Sequence, residues 1–182
     1  MARASVRARQ LQMNLATLRR MHPDVASQLE GTIHAQLVAI DSASGVEWID
    51  FEVAVRYFEA TQHALGTEGF HRYDVQSMKD ALAGPLLSSL WSASLRVFGQ
   101  QPQSLLRWAP QLWSLIYRDV GEIEWDGELR RVRLSELCPS AYQSRAFLES
   151  VAAAVDGVYA LCDQHARSAI DTVSRDCVWI IP

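Results

Sequence analysis

Cys162 and His165 stand three residues apart near the C-terminus, a spacing that brings two side chains to one face of a helix. A thiolate and an imidazole so placed can begin a tetrahedral metal site, with Asp163 or Cys177 as further ligands. The same two groups can also form a nucleophile and base, because an adjacent imidazolium stabilises the reactive thiolate. Both sets are incomplete. Zinc sites carry two tight ligand pairs, whereas one pair and scattered donors are present here. The chain holds no Gly-x-Ser-x-Gly elbow, no glycine-rich phosphate loop and no His-Glu-x-x-His, so nothing marks an oxyanion hole or a cofactor cradle. Of the five histidines, His34 and His63 fall in helical stretches without a ligand motif around them. Glu122 and Glu124 could serve as an acid/base pair, but Arg131 and Arg133 follow across a turn and satisfy them as a solvated sheet face. These residues support no catalytic, metal or cofactor assignment, and the expectation is a protein that is not an enzyme.

Composition narrows the remaining classes. The 182 residues are 49% hydrophobic, enough to bury roughly 70% of the unfolded surface as one domain over residues 1–182 without a metal or disulfide. A net charge of −4 argues against nucleic acid, which is bound by neutralising phosphates. Three cysteines match no disulfide framework and no signal-peptide core precedes them, so a reduced cytoplasmic compartment is expected. No apolar run approaches the ~18 residues needed to span a bilayer; Leu86 to Phe98 is broken by serines and Arg96. Arg3, Arg7, Arg9, Arg19 and Arg20 precede the first acid, Asp24. That pattern suits a transit peptide, a membrane-contacting helix, or an ordinary first helix burying Leu11, Leu15 and Leu18.

The elements that must position any site divide into a helical part, about residues 4–110, and a hairpin–helix–hairpin part, about 111–182. Pro23 opens a second helix with Val25, Leu29, Ile33, Leu37 and Ile40 on one side, ending at Asp41-Ser42. Asp50 caps a third, with Trp48 as a staple outside it, that aligns Phe51, Val55, Phe58 and Leu65 before Gly66. Asp74 is the next expected cap, opening a stripe of Met78, Leu82, Leu86, Leu90 and Val97 that Gly84-Pro85 must bend. Pro102 starts a short helix that Pro110 should end.

From Trp113 to Leu137 the alternation predicts two long strands, bent at Gly121 and joined by a two-residue turn at Asp126-Gly127. Pairing Trp125 with Glu128 puts Ile123, Trp125, Val132 and Leu134 on one oily face, in phase with Trp113 and Tyr117. Residues 141–162 read as a crossing helix, and 168–181 as a final hairpin around Ser174-Arg175-Asp176. The result is an α+β domain with an N-terminal helical layer packed on a C-terminal antiparallel sheet. The six tryptophans admit two roles. They fill the gap between helices and sheet, or Trp113, Tyr117, Ile123, Trp125, Val132 and Leu134 line an apolar ligand pocket or a subunit interface. The sheet's open edges invite a homodimer or another protein partner.

That order of elements carries a resemblance, together with Val46-Glu47-Trp48-Ile49 at a helix entry, Ala64-Leu65-Gly66 at its end, and the Gly121 hairpin followed by Leu137-Cys138-Pro139. Over nearly its full length the chain resembles a paralogous family of uncharacterised myxobacterial proteins. These are similar in fold to haem nitric-oxide-binding domains, vinyl-reductase-like small-molecule-binding domains and Bet-type subunits of the transport-protein particle. The resemblance implies a sensing or interaction module with a cavity between helices and sheet, often dimeric and without catalysis of its own. It also raises haem as an alternative. Tyr142-Gln143-Ser144-Arg145 resembles the Tyr-x-Ser-x-Arg propionate clamp, but the arginine comes one residue early, which turns it away from Tyr142 by about 100° on a helix.

Overall fold

The computed structural model describes residues 3–83 and 101–182. Strand β1 (Ser5–Arg7) leads into helices α1 (Ala8–Met21), α2 (Pro23–Thr32) and α3 (His34–Ser42), then strand β2 (Trp48–Asp50) and helix α4 (Phe51–Ala83). Short helices α5 (Pro102–Leu106) and α6 (Ala109–Ile116) precede strands β3 (Tyr117–Arg118), β4 (Glu122–Asp126) and β5 (Arg131–Ser135). Helices α7 (Pro139–Gln143) and α8 (Arg145–Leu161) and strands β6 (Ala169–Ser174) and β7 (Cys177–Ile181) complete the chain. The fold is α+β, with a C-terminal antiparallel sheet ordered β4-β5-β7-β6. A second sheet, ordered β2-β1-β3, ties the N-terminus to the entry of α4 and to Tyr117. Its strands are too short for alternation to announce them.

Helix α1 buries Leu11, Leu15 and Leu18, and Arg19 lies against Asp41 while Arg20 lies against Asp80. Arg9, Arg19 and Arg20 thus sit on a helix whose other side faces the core, while Arg7 belongs to β1. The stripe from Val25 to Ile40 is carried by two helices, because Ile33 leaves helical geometry at φ −130° and ψ 39°. Asp50 accepts from the Glu52 amide at 2.9 Å, as a cap should. Trp48 is held by strand pairing, with the Arg7 and Arg118 guanidinium carbons 3.8 and 4.4 Å from its ring centre. It sits in a sheet and does not staple a helix.

Helix α4 breaks at Gly66, whose φ of 66° is a left-handed conformation that side chains resist. The chain resumes as helix straight afterwards, so Asp74 lies in mid-helix and does not cap one. The expected bend at Gly84-Pro85 and the stripe through Leu86, Leu90 and Val97 lie outside the described residues. Pro110 sits in the first turn of α6, where its missing N–H costs nothing, and starts that helix where it was expected to end one. Trp113 is therefore helical, and the long first strand shrinks to β4.

The hairpin also differs at its turn. Trp125 pairs with Val132 and Asp126 with Arg131, four residues from the expected register. The Asp126 carboxylate accepts from the amides of Glu128 and Leu129 at 3.0 and 2.9 Å, and Arg130 takes the positive φ of 51°. A local carboxylate-to-backbone turn replaces the primed one. An even shift keeps every side chain on its face, so Val132, Leu134, Val178 and Ile180 are wholly buried. On the outer face Arg133 lies 3.9 Å from Glu124, and the Arg131 guanidinium stacks 3.6 Å over Trp179.

Ser144 caps α8 through the Phe147 amide. That helix crosses α4 at Gly157, where an added Cβ would stand 2.9 Å from Met78 Cβ and 3.2 Å from the Val75 carbonyl oxygen. Gly157→Ala should lower unfolding free energy by about 1–3 kcal/mol in urea titration through overpacking. Gly31→Ala is the control: it meets nothing within 4 Å, and should raise stability by about 0.5 kcal/mol through helix propensity. Equal stability of the two variants would refute the close contact.

Candidate functional site

Beyond the kink at Gly66, helix α4 presents Tyr73, Asp74, Ser77 and Met78 toward the interior. Tyr73 closes a buried hydrogen-bond chain. It donates to the Asn14 carbonyl of α1 at 3.0 Å and so accepts from the Tyr57 hydroxyl at 2.7 Å. This fixes the rotation of α4 against α1 and aims the adjoining Asp74 and Ser77, one turn apart, into a gap between α4, α6 and α8.

The gap is a cavity of about 120 Å³. Its walls are mostly apolar, with Leu105 and Leu106 from α5, Ile116 from α6, and Val151, Val155 and Val158 from α8, and Gln10, Asn14 and Ser150 add polar side chains. Of the residues expected to form a binding face, Trp113, Tyr117 and Ile123 line this cavity; Trp125, Val132 and Leu134 do not, although they share the same continuous core. Trp113 arrives from a helix and not from the sheet. Its indole N–H donates to the Gly121 carbonyl at 2.7 Å, and its ring centre lies 4.4 Å from that of Tyr117. Tyr117 in turn meets Phe51 and Phe147 edge-on at 6.0 and 5.7 Å. These contacts lock the aromatic wall in place.

Two polar atoms in this apolar space lack partners among the described residues. Asp74 is 4% exposed and so is Ser77, yet Asp74 Oδ2 and Ser77 Oγ make no hydrogen bond. Burial pushes the Asp74 carboxyl well above the usual carboxylate range, and the nearby Ser150 hydroxyl only partly opposes it. Burial, with Asp74 close by, likewise raises the Tyr117 phenol. Among the described residues lining the cavity there is no Lys, Arg or His, so no cation holds Asp74 ionised. A protonated carboxyl can donate as well as accept.

Asp74 was expected only as a cap. The signal that marks it is the lack of a Lys or Arg three or four positions away: Phe70, His71, Ser77 and Met78 occupy those places. An acid with no Lys or Arg partner on the helix, preceded by Phe70 and Tyr73 and followed by Val75, Met78 and Leu82, is an acid that the helix can direct inward.

The other expected chemistry does not assemble. Cys162 is buried at the end of α8 while His165 is exposed in the following loop. Burial and the neighbouring Asp163 raise the Cys162 thiol, the reverse of nucleophile activation. Among the described residues no three His, Cys, Asp or Glu side chains gather as a metal would require. His34 and His63 are exposed. Tyr142 and Arg145 fall on separate helices, and Arg145 pairs with Glu149 at 2.8 Å.

A further group, not apparent from spacing, joins His71, Asp156 and Ser168. Asp156 is buried, accepts from the Ser168 hydroxyl at 2.5 Å and amide at 3.0 Å, and meets His71 Nε2 at 2.8 Å. The residue types are those of a hydrolase triad, but the wiring is not. Serine and histidine both bond the carboxylate, whereas catalysis needs the imidazole between them. The group instead ties the entry of β6 to α8 and α4.

Linkage gives the Asp74 carboxyl a pH signature. Its ordinary value is 3.8 and the fold raises it, so its contribution to stability is complete below 3.8 and is lost as pH climbs toward the folded value, by up to about 1.4 kcal/mol per pH unit. Asp74→Asn removes the titration. Its stability relative to the parent protein should therefore rise from pH 4 toward neutrality in denaturant titrations, and a flat difference would mean that Asp74 titrates like an exposed acid. No family model, curated protein or solved structure matches the chain.

Proposed function

We propose that this protein is a non-enzymatic small-molecule-sensing module whose ligand occupies the cavity between α4, α6, α8 and β4. The observation that carries the proposal is the cavity itself, an aromatic-walled space of about 120 Å³ with two unpartnered polar atoms. Apolar cavities of roughly 150 Å³ bind benzene, so this one suits a single ring or a short branched chain. Haem is a poorer fit, since the space is far below the 300–1,000 Å³ or so of drug-sized pockets and no histidine lines it among the described residues. A ligand here touches elements from both the helical layer and the sheet, so occupancy can bias their packing, which is the requirement for a sensor. The fold-level resemblance in sequence supports the same role.

Benzene titrated into the protein should shift the Trp113 indole N–H resonance with saturable, low-millimolar affinity. Ala154, on the α8 wall, offers the control: Ala154→Leu fills the space and should abolish the shift while leaving thermal stability equal or higher. Benzene-induced shifts of equal size in both proteins would defeat the proposal.

A homodimer is the accompanying proposal, supported by the open edge of the four-stranded sheet. Strand β6 is an outer strand, nearly all of it exposed, with Val173 at 67%. Such an edge is a template for another strand. Light scattering at micromolar concentration should return twice 20.4 kDa, and Val173→Lys should weaken the association. A mass of 20.4 kDa at every concentration would reject the dimer.

A further inference from the structure

Asp74 Oδ2 and Ser77 Oγ are buried, lack partners among the described residues, and lie one helical turn apart on the face of α4 that lines the cavity. A buried polar group without a partner is costly, and a native structure retains one where something else completes it. The walls constrain what that can be. They carry no basic group among the described residues, and an ammonium placed here would lose its hydration for one carboxylate, an exchange that seldom favours burial. An uncharged oxygen acceptor loses far less. It also offers two lone pairs, the number that a carboxyl O–H and a serine O–H can fill. We propose that Asp74 and Ser77 act as paired hydrogen-bond donors to the carbonyl oxygen of a small neutral ketone-like ligand whose hydrocarbon part packs against Trp113, Tyr117 and the α8 valines. This rests on the cavity being a ligand site.

Three probes of nearly one shape test it: cyclohexanone, methylenecyclohexane, which lacks the acceptor, and cyclohexylamine, which is cationic at neutral pH. Dissociation constants would be measured by protein-observed NMR for the parent protein, Asp74→Asn and Asp74→Leu. The parent should prefer the ketone to the alkene by about tenfold, the worth of one or two buried hydrogen bonds. Asp74→Asn keeps an N–H donor and should keep most of that preference, whereas Asp74→Leu should bring it close to unity. Equal binding of ketone and alkene by the parent protein would overturn the paired-donor assignment while leaving the cavity as a ligand site. Tightest binding of the amine would overturn it in favour of an ion pair. Failure of all three probes to bind would remove the ligand site itself and the assignment with it.

Discussion

Helix α8 can lie on α4 at backbone distance only because position 157 lacks a side chain, and the rest of the interior is arranged around that contact. With Met78 Cβ and the Val75 carbonyl against the glycine, the two helices close tightly at one point and must diverge elsewhere. The divergence is the cavity. On the α4 side it is lined by Phe58 and, just over one turn before Met78, by Asp74; on the α8 side it is lined by Ser150, Val151, Ala154 and Val155 before Gly157 and by Val158 after it. Small α5 and α6, with Trp113 and Tyr117, cover the remaining side. A tight crossing and an adjacent void are therefore one feature, since two rigid cylinders that touch at one point cannot fill the space beside it without larger side chains than these.

The void is stabilised by what surrounds it. The Tyr57–Tyr73–Asn14 chain holds α4 against α1 by directed bonds in a fully buried setting, where such bonds fix one arrangement because the alternatives leave groups unpaired. Asp80, nearly two turns beyond Tyr73 along α4, receives hydrogen bonds from Thr17, Arg20 and Gln76. Burial works against its charge, but those bonds prevail and its pKa is lowered. Two acids on one helix, six residues apart, thus have opposite environments. Asp80 is paired, and it serves structure. Asp74 has only the Ser150 hydroxyl beside it, its Oδ2 is unpartnered among the described residues, and it is the one that faces the cavity.

Much of this fold was legible in the sequence where burial enforces a period, and little where geometry depends on one special residue. The face shared by Ile123, Trp125, Val132 and Leu134 survives the error in the Asp126 turn, because strand faces depend on parity and the register moved by four. The leucines of α1 and the capped stretch after Asp50 were equally plain. Trp113 was misassigned because Trp113, Leu115 and Tyr117 alternate; yet Leu115 is 39% exposed, and buried Trp113 with half-buried Leu112 and Ile116 follows the period of a helix with Pro110 in its first turn. For the site, half of the expected aromatic face converges. Asp74, the residue with most chemical content, escaped because Asp before an apolar run is ordinarily a cap, and only the continuation of helix through residues 67–83 turns it inward.

The proposed binding role accords with the character of the cavity. A catalytic site needs a nucleophile or base poised to exchange protons near neutrality, with water excluded only when required. Here the carboxyl is raised by burial with no basic side chain beside it among the described residues, the thiol of Cys162 is elsewhere and raised as well, and the Ser168/His71/Asp156 group spends both its serine and its histidine on the same carboxylate. Around the cavity stand an aromatic surface, the polar side chains of Gln10, Asn14 and Ser150, and the two unpartnered oxygens of Asp74 and Ser77. Such groups discriminate among bound molecules by the hydrogen bonds a wrong ligand would leave unmade. In the proposed reading this is recognition chemistry, and a bound ligand would act through the helices that line the cavity.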